Sequence, residues 1–131
     1  MRYLPIIAGI LLGLGFISAG MMVLLNLVPP QPAPPEGSPL ALFMGAFAPS
    51  GYLHFVKVCE VVGGVLVAVP LTRCLGLLVL GPILINIIAF HICITKPSFL
   101  LDPMLITLVV LALFLLWVER KAFAGLVSRR R

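Results

Sequence analysis

Charge is what this sequence has least of. Only 10% of its 131 residues are Asp, Glu, Lys or Arg, and just four of those are acids. A soluble domain carries about 25% charged residues. With 62% hydrophobic residues, too few charges remain to clothe a solvated surface, so a water-soluble globule and a disordered chain are both excluded. Cysteine is also sparse: three residues, Cys59, Cys74 and Cys93, with no CxxC. An odd, irregularly spaced set excludes a disulfide framework, a zinc site and an iron–sulfur centre. A dinucleotide fingerprint and a haem-ligand pair at mid-membrane depth are absent as well. The nine bases give a net charge of +5, but they sit at the edges of apolar runs and are not interleaved with aromatics, which excludes nucleic acid as a partner. The partner this composition demands is the lipid bilayer.

Long apolar runs are what is there. A membrane-spanning helix needs about 20 mostly apolar residues. Four stretches qualify, at about residues 3–28, 52–71, 74–94 and 101–118. The first is too long for a signal-peptide core of about 7–15 residues, since it continues through Met21 and Met22 to Val28, so an uncleaved helix is expected. The fold class is therefore an all-α membrane protein, a four-transmembrane-helix bundle forming one domain over 1–131. Arg2, Arg73, Arg120, Lys121 and Arg129 to Arg131 fall on one side of this layout, and Glu36, Lys96 and Asp102 on the other. By the positive-inside rule both termini are expected in the cytoplasm, in a multi-pass protein of the cell (inner) membrane. The basic tail reads as a topology anchor on acidic headgroups.

The outer loop, residues 29–51, opens with Pro29, Pro30, Pro32, Pro34 and Pro35 and should be extended. Leu40 to Phe47 is apolar but too short to span, so an interfacial or re-entrant segment is expected. It serves either as a lid over the outer mouth of the bundle or as a linker resting on the bilayer.

Small residues drive helix association in lipid. Gly9, Gly13 and Gly20 fall within about 40° of one another on the first span, a packing face and not a phosphate loop. On the second span His54, Lys57 and Glu60 occupy an arc of about 120°, with Gly64 on the same stripe. Small residues mark the side that meets other helices, so the ionisable groups are expected to point inward. A tight turn near Arg73 puts residues whose numbers sum to about 146 at equal height. Glu60 then matches Asn86 in depth, roughly 12 Å from the outer surface, and His54 matches His91. The expected result is a polar pocket in the outer half, formed by Glu60, Lys57, His91, Asn86 and His54, above an inner half that stays apolar down to Arg73. Asn86 reads more naturally as interhelical glue than as a ligand contact, and His91 as an interfacial histidine or a proton shuttle. No metal site and no catalytic residue is indicated, and the sequence leaves catalytic activity and homo-oligomerisation open.

Gly13-Leu-Gly-Phe-Ile-Ser-Ala-Gly20, Glu60-Val-Val-Gly-Gly64, Thr72-Arg73 and His91 together make the chain similar to the DoxX-like family of small four-helix membrane proteins. The resemblance covers nearly the whole chain outside the proline-rich loop and the tail. It departs at Val23, where relatives often carry a lysine. What the resemblance implies is a quinone-linked or small-thiol redox role, beside an oxidoreductase partner subunit, with quinone as the cofactor to expect. The alternative reading is a non-enzymatic membrane assembly or interaction protein.

Overall fold

The computed structural model describes residues 2–95 and 102–128, which are built from helices and connecting turns, with no strand among them. Lys96 and the tail arginines 129–131 lie outside the described residues. Six helices follow in order: α1 (Leu4–Leu24), α2 (Pro39–Phe47), α3 (Tyr52–Ala68), α4 (Arg73–Cys93), α5 (Pro103–Val118) and α6 (Arg120–Val127).

Local chemistry sets their ends. The apolar run of α1 continues to Val28, but the helix stops at Leu24. Asn26 turns left-handed (φ 54°), its N–H donates to Val23 O, and the Leu27 N–H reaches back to Met22 O at 2.8 Å. This is the Schellman arrangement with Asn in the position glycine usually fills. Asn26 is thus the terminator of α1. Ser38 caps α2 by accepting from the Ala41 N–H, with Pro39 in the first turn. Gly51, at φ 83°, makes the corner into α3. The chain leaves α3 at Ala68 because Val69, held extended by the following Pro70, cannot stay helical. Asp102 caps α5 through the Met104 N–H at 3.0 Å.

Helices α1 and α4, 21 residues each, are long and apolar enough to cross a membrane. The number of such spans rises to four if the bent pairs α2–α3 (78°) and α5–α6 (67°) each count as one. Helix α6 follows the fourth apolar run, where the sequence indicates no element. Helix α4 runs unbroken through Pro82.

Helix α3 lies between α1 and α4, α5 closes onto α1, and α5 meets α4 along a thinner seam. The α1–α3 contact is backbone to backbone. A Cβ on Gly9 would meet Val67 O at 2.8 Å, and one on Gly64 would meet Gly13 O at 2.8 Å; a Cβ on Gly20 would come within 3.0 Å of Lys57 O. Numbers rise along α1 as they fall along α3, so the two helices are antiparallel. Gly76 lets α4 approach the Val67 backbone in the same way. Between the helices, Leu12, Phe16, Val67, Leu80 and Leu115 are sealed from the outside. The outward faces carry Leu11, Val62, Ile85, Val110 and Leu113, all exposed, as expected for surfaces meeting acyl chains.

Candidate functional site

Helices α3 and α4 diverge toward the α2 end, and α2 lies across the gap. The resulting cleft has a volume of about 800 Å³, within the roughly 300–1,000 Å³ typical of small-molecule sites. Its deepest polar group is Glu60, 2% exposed in the middle of α3. Lys57 Nζ donates to both carboxylate oxygens at 3.1 Å. The two groups sit at i and i+3 on one helix, so the pair forms without help from another element. An ammonium has three donors; Glu60 takes two of them.

The walls are apolar and aromatic. Phe43 of α2 packs against Phe47 (ring centroids 4.9 Å apart) and reaches α4 through Phe90 at 5.1 Å. Phe47 continues to Tyr52 at 5.1 Å, at the start of α3. These rings roof the cleft; Val79, Pro82 and Ile83 floor it, and Cys59 and Cys93 also border it. All three cysteines are free thiols.

Four of the five candidate pocket residues line this cleft: Lys57, Glu60, Asn86 and His91. The fifth does not. His54 is exposed on the outer surface of α3, about 120° around the helix from Glu60. The inward face is narrower than the arc the three groups span, so its far edge falls outside. Asn86 lines the cleft but does not bind another helix: its Nδ2 donates to the Pro82 carbonyl of its own helix at 3.1 Å. His91 Nδ1 donates to Ile87 O at 2.7 Å, and the ring stands edge-on to Phe90. The glycines Gly9, Gly13, Gly20 and Gly64 lie at the α1–α3 contact, away from the cleft.

The opposite end of the helices holds a second ion pair. Arg73 is 4% exposed. Its Nη1 donates to Glu119 Oε1 at 3.3 Å, joining the start of α4 to the end of α5. The Cys74 thiol donates to the other oxygen of Glu119 at 3.6 Å. Arg73 Nε and Nη2 are buried with no hydrogen-bond partner and lie where a Gly9 side chain would begin, 3.3 Å from that Cβ position. Sequence reasoning missed this pair. The available signal was Glu119 itself, the one acid in a basic cluster, at the height an antiparallel α5 shares with Arg73.

Among the described residues no group of three or more His, Cys, Asp or Glu side chains is placed to hold a metal ion. What the cleft can do chemically is accept a flat or chain-like apolar molecule between aromatic rings and offer it one charged pair at the bottom.

The comparisons with known proteins are sparse. No family model matches the chain, and no solved structure matches it. A curated protein of Bacillus subtilis, the uncharacterized protein YwoB, is 31% identical over 80 residues, covering 58% of this chain and 50% of that protein. The chain thus spans about half the length of the curated relative it matches.

Proposed function

We propose that this protein is a four-span helical bundle of the cell membrane, with both termini cytoplasmic, that binds a lipid-soluble quinone-class molecule in the α3–α4 cleft as a membrane subunit or accessory of a redox system. The carrying observation is the cleft itself: a space of about 800 Å³ with aromatic walls and a single ion pair, Lys57–Glu60, at its base. An aromatic ring fits between Phe43, Phe90 and Tyr52 by offset or edge contacts. The Lys57 ammonium supplies a donor for a carbonyl oxygen, while Glu60 holds that ammonium in place. Four spans follow if the bent pairs α2–α3 and α5–α6 each contribute one crossing, carried by α3 and α5, and the cytoplasmic assignment rests on the basic residues gathered at the Arg73 end. The resemblance to the DoxX-like family favours the redox context.

The test is thermal unfolding of the purified protein with ubiquinone and menaquinone analogues. A ligand at about 100 times its Kd adds about 2.7 kcal/mol of stability, a clear rise in Tm. The rise should shrink in K57M/E60Q. No shift with either analogue removes the quinone reading.

A second reading, a non-enzymatic assembly or interaction subunit, draws on the closure of Lys57 and Glu60 on each other within one helix. It expects recovery of one stoichiometric partner with the protein and no effect of E60Q on any ligand.

A further inference from the structure

The elbow after α5 carries a surface that the cleft does not explain. Helix α5 ends at Val118, and α6 leaves it at an angle of 67°. If α5 runs along the bilayer normal, α6 lies nearly in the membrane plane. Its apolar residues Phe123, Leu126 and Val127 share an arc of about 100°, and Lys121 is opposite its centre. Phe123 tucks against the helix core, while Leu126 and Val127 continue the same stripe outward, 69% and 89% exposed. Helix α6 contains no acid, and Glu119 beside it is turned inward onto Arg73. Arg120 and Lys121 therefore present their charge uncompensated. Both occupy the first turn, where a cation opposes the helix dipole, so helix stability does not account for their placement. Arg120 also stacks over Trp117, 3.9 Å from the ring centroid, and Trp117 is 64% exposed, an aromatic–basic pairing typical of the membrane–water boundary.

We propose that α6 is an in-plane membrane helix that gathers anionic phospholipid headgroups at the elbow, with Leu126 and Val127 in the acyl boundary and Arg120 and Lys121 on the phosphates. An amphipathic basic helix at the interface combines apolar burial with attraction to acidic lipid. Each base near the surface enriches anionic lipid up to about fivefold. The inference stands apart from the ligand assigned to the cleft.

Trp117 is the single tryptophan and lies beside Arg120, so it reports directly. The full chain is reconstituted in phosphatidylcholine vesicles containing a small, equal fraction of either brominated phosphatidylglycerol or brominated phosphatidylcholine, and quenching of Trp117 is compared. The expected result is several-fold stronger quenching by the anionic lipid, falling toward parity in K121Q and R120Q/K121Q and at high salt. The excess should persist in R129Q/R130Q/R131Q. Because R120Q alters the contact with Trp117, the K121Q result is decisive. Equal quenching by the two lipids in the natural protein overturns the proposal. An excess abolished by the tail variant but untouched by K121Q overturns it too, since the tail would then be the lipid-binding element.

Discussion

Replacing Gly13 with alanine adds one methyl group to a place with no free volume. The new Cβ would lie 2.5 Å from the carbonyl oxygen of Gly64 and 2.9 Å from the Ala68 Cβ. Ordinary contact begins near 3.4 Å, so α1 and α3 must part by about 0.9 Å. The obstacle is backbone, which cannot swing aside as a side chain does. A radial gap of 0.5–1 Å forfeits a quarter to a half of the dispersion well at each affected contact. Leu12, Phe16 and Val67, which pack tightly in the same core cluster, share that loss. Overpacking of this kind costs about 1–3 kcal/mol. The control is G45A in α2, where an added Cβ meets nothing within 4 Å; it should be neutral or slightly stabilising through helix propensity. The assay is unfolding of both variants from mixed micelles by titration with denaturing detergent, followed by far-UV circular dichroism. If G13A unfolds at the same detergent fraction as G45A, α1 and α3 do not meet at the backbone, and the packing described above is wrong.

Removing the cation from the cleft pair should destabilise the fold. K57M strands the Glu60 carboxylate in a site where it is 3% exposed and should lose about 3 kcal/mol; K57M/E60Q should recover most of it, and a double-mutant cycle in the same titration reads the difference. E119Q leaves Arg73 without its anion and should also cost about 3 kcal/mol, the lower end of the range for a pair whose acid is 23% exposed. Adding R73M should restore stability; a double variant as weak as E119Q alone counts against a paired role. S38A removes the cap of α2 at a cost of about 1 kcal/mol, and hydrogen exchange should quicken at the Ala41 amide while α3 amides stay protected. Uniform exchange across both helices would mean that α2 and α3 open together.

What the sequence discloses, it discloses through hydropathy and steric rules. The apolar runs locate α1, α3, α4 and α5, although the second run extends to residue 71 while α3 stops at Ala68, ahead of Val69-Pro70. Glycine spacing on α1 predicts a close helix neighbour, although not which one. The features that stay hidden depend on partners far along the chain. Arg73 marks the turn between two apolar runs, and nothing beside it in sequence announces its burial; only Glu119, brought up by α5, makes that burial tolerable. His54 belongs to the same periodic set as Glu60, but the width of the inward face is decided by how closely α4 approaches, which one helix cannot reveal. Helix α6, eight residues long, is too short for its periodicity to stand out after the fourth apolar run. The stop at Leu24 hinges on a left-handed Asn26 inside a run that remains apolar to Val28. The aromatic roof joins α2 to α4 through Phe43 and Phe90, a meeting that no local pattern announces.

The Arg73–Glu119 contact bridges 46 positions, and a ribosome delivers its two halves in a fixed order. The guanidinium emerges with the start of the third long helix, well before the carboxylate exists. Until the fourth has been translated, the nascent chain holds an unneutralised cation at the start of α4. The acid that neutralises Arg73 is thus supplied only once the chain has been made through α5, so the start of α4 reaches its final electrostatic state later than the α1–α3 contact does.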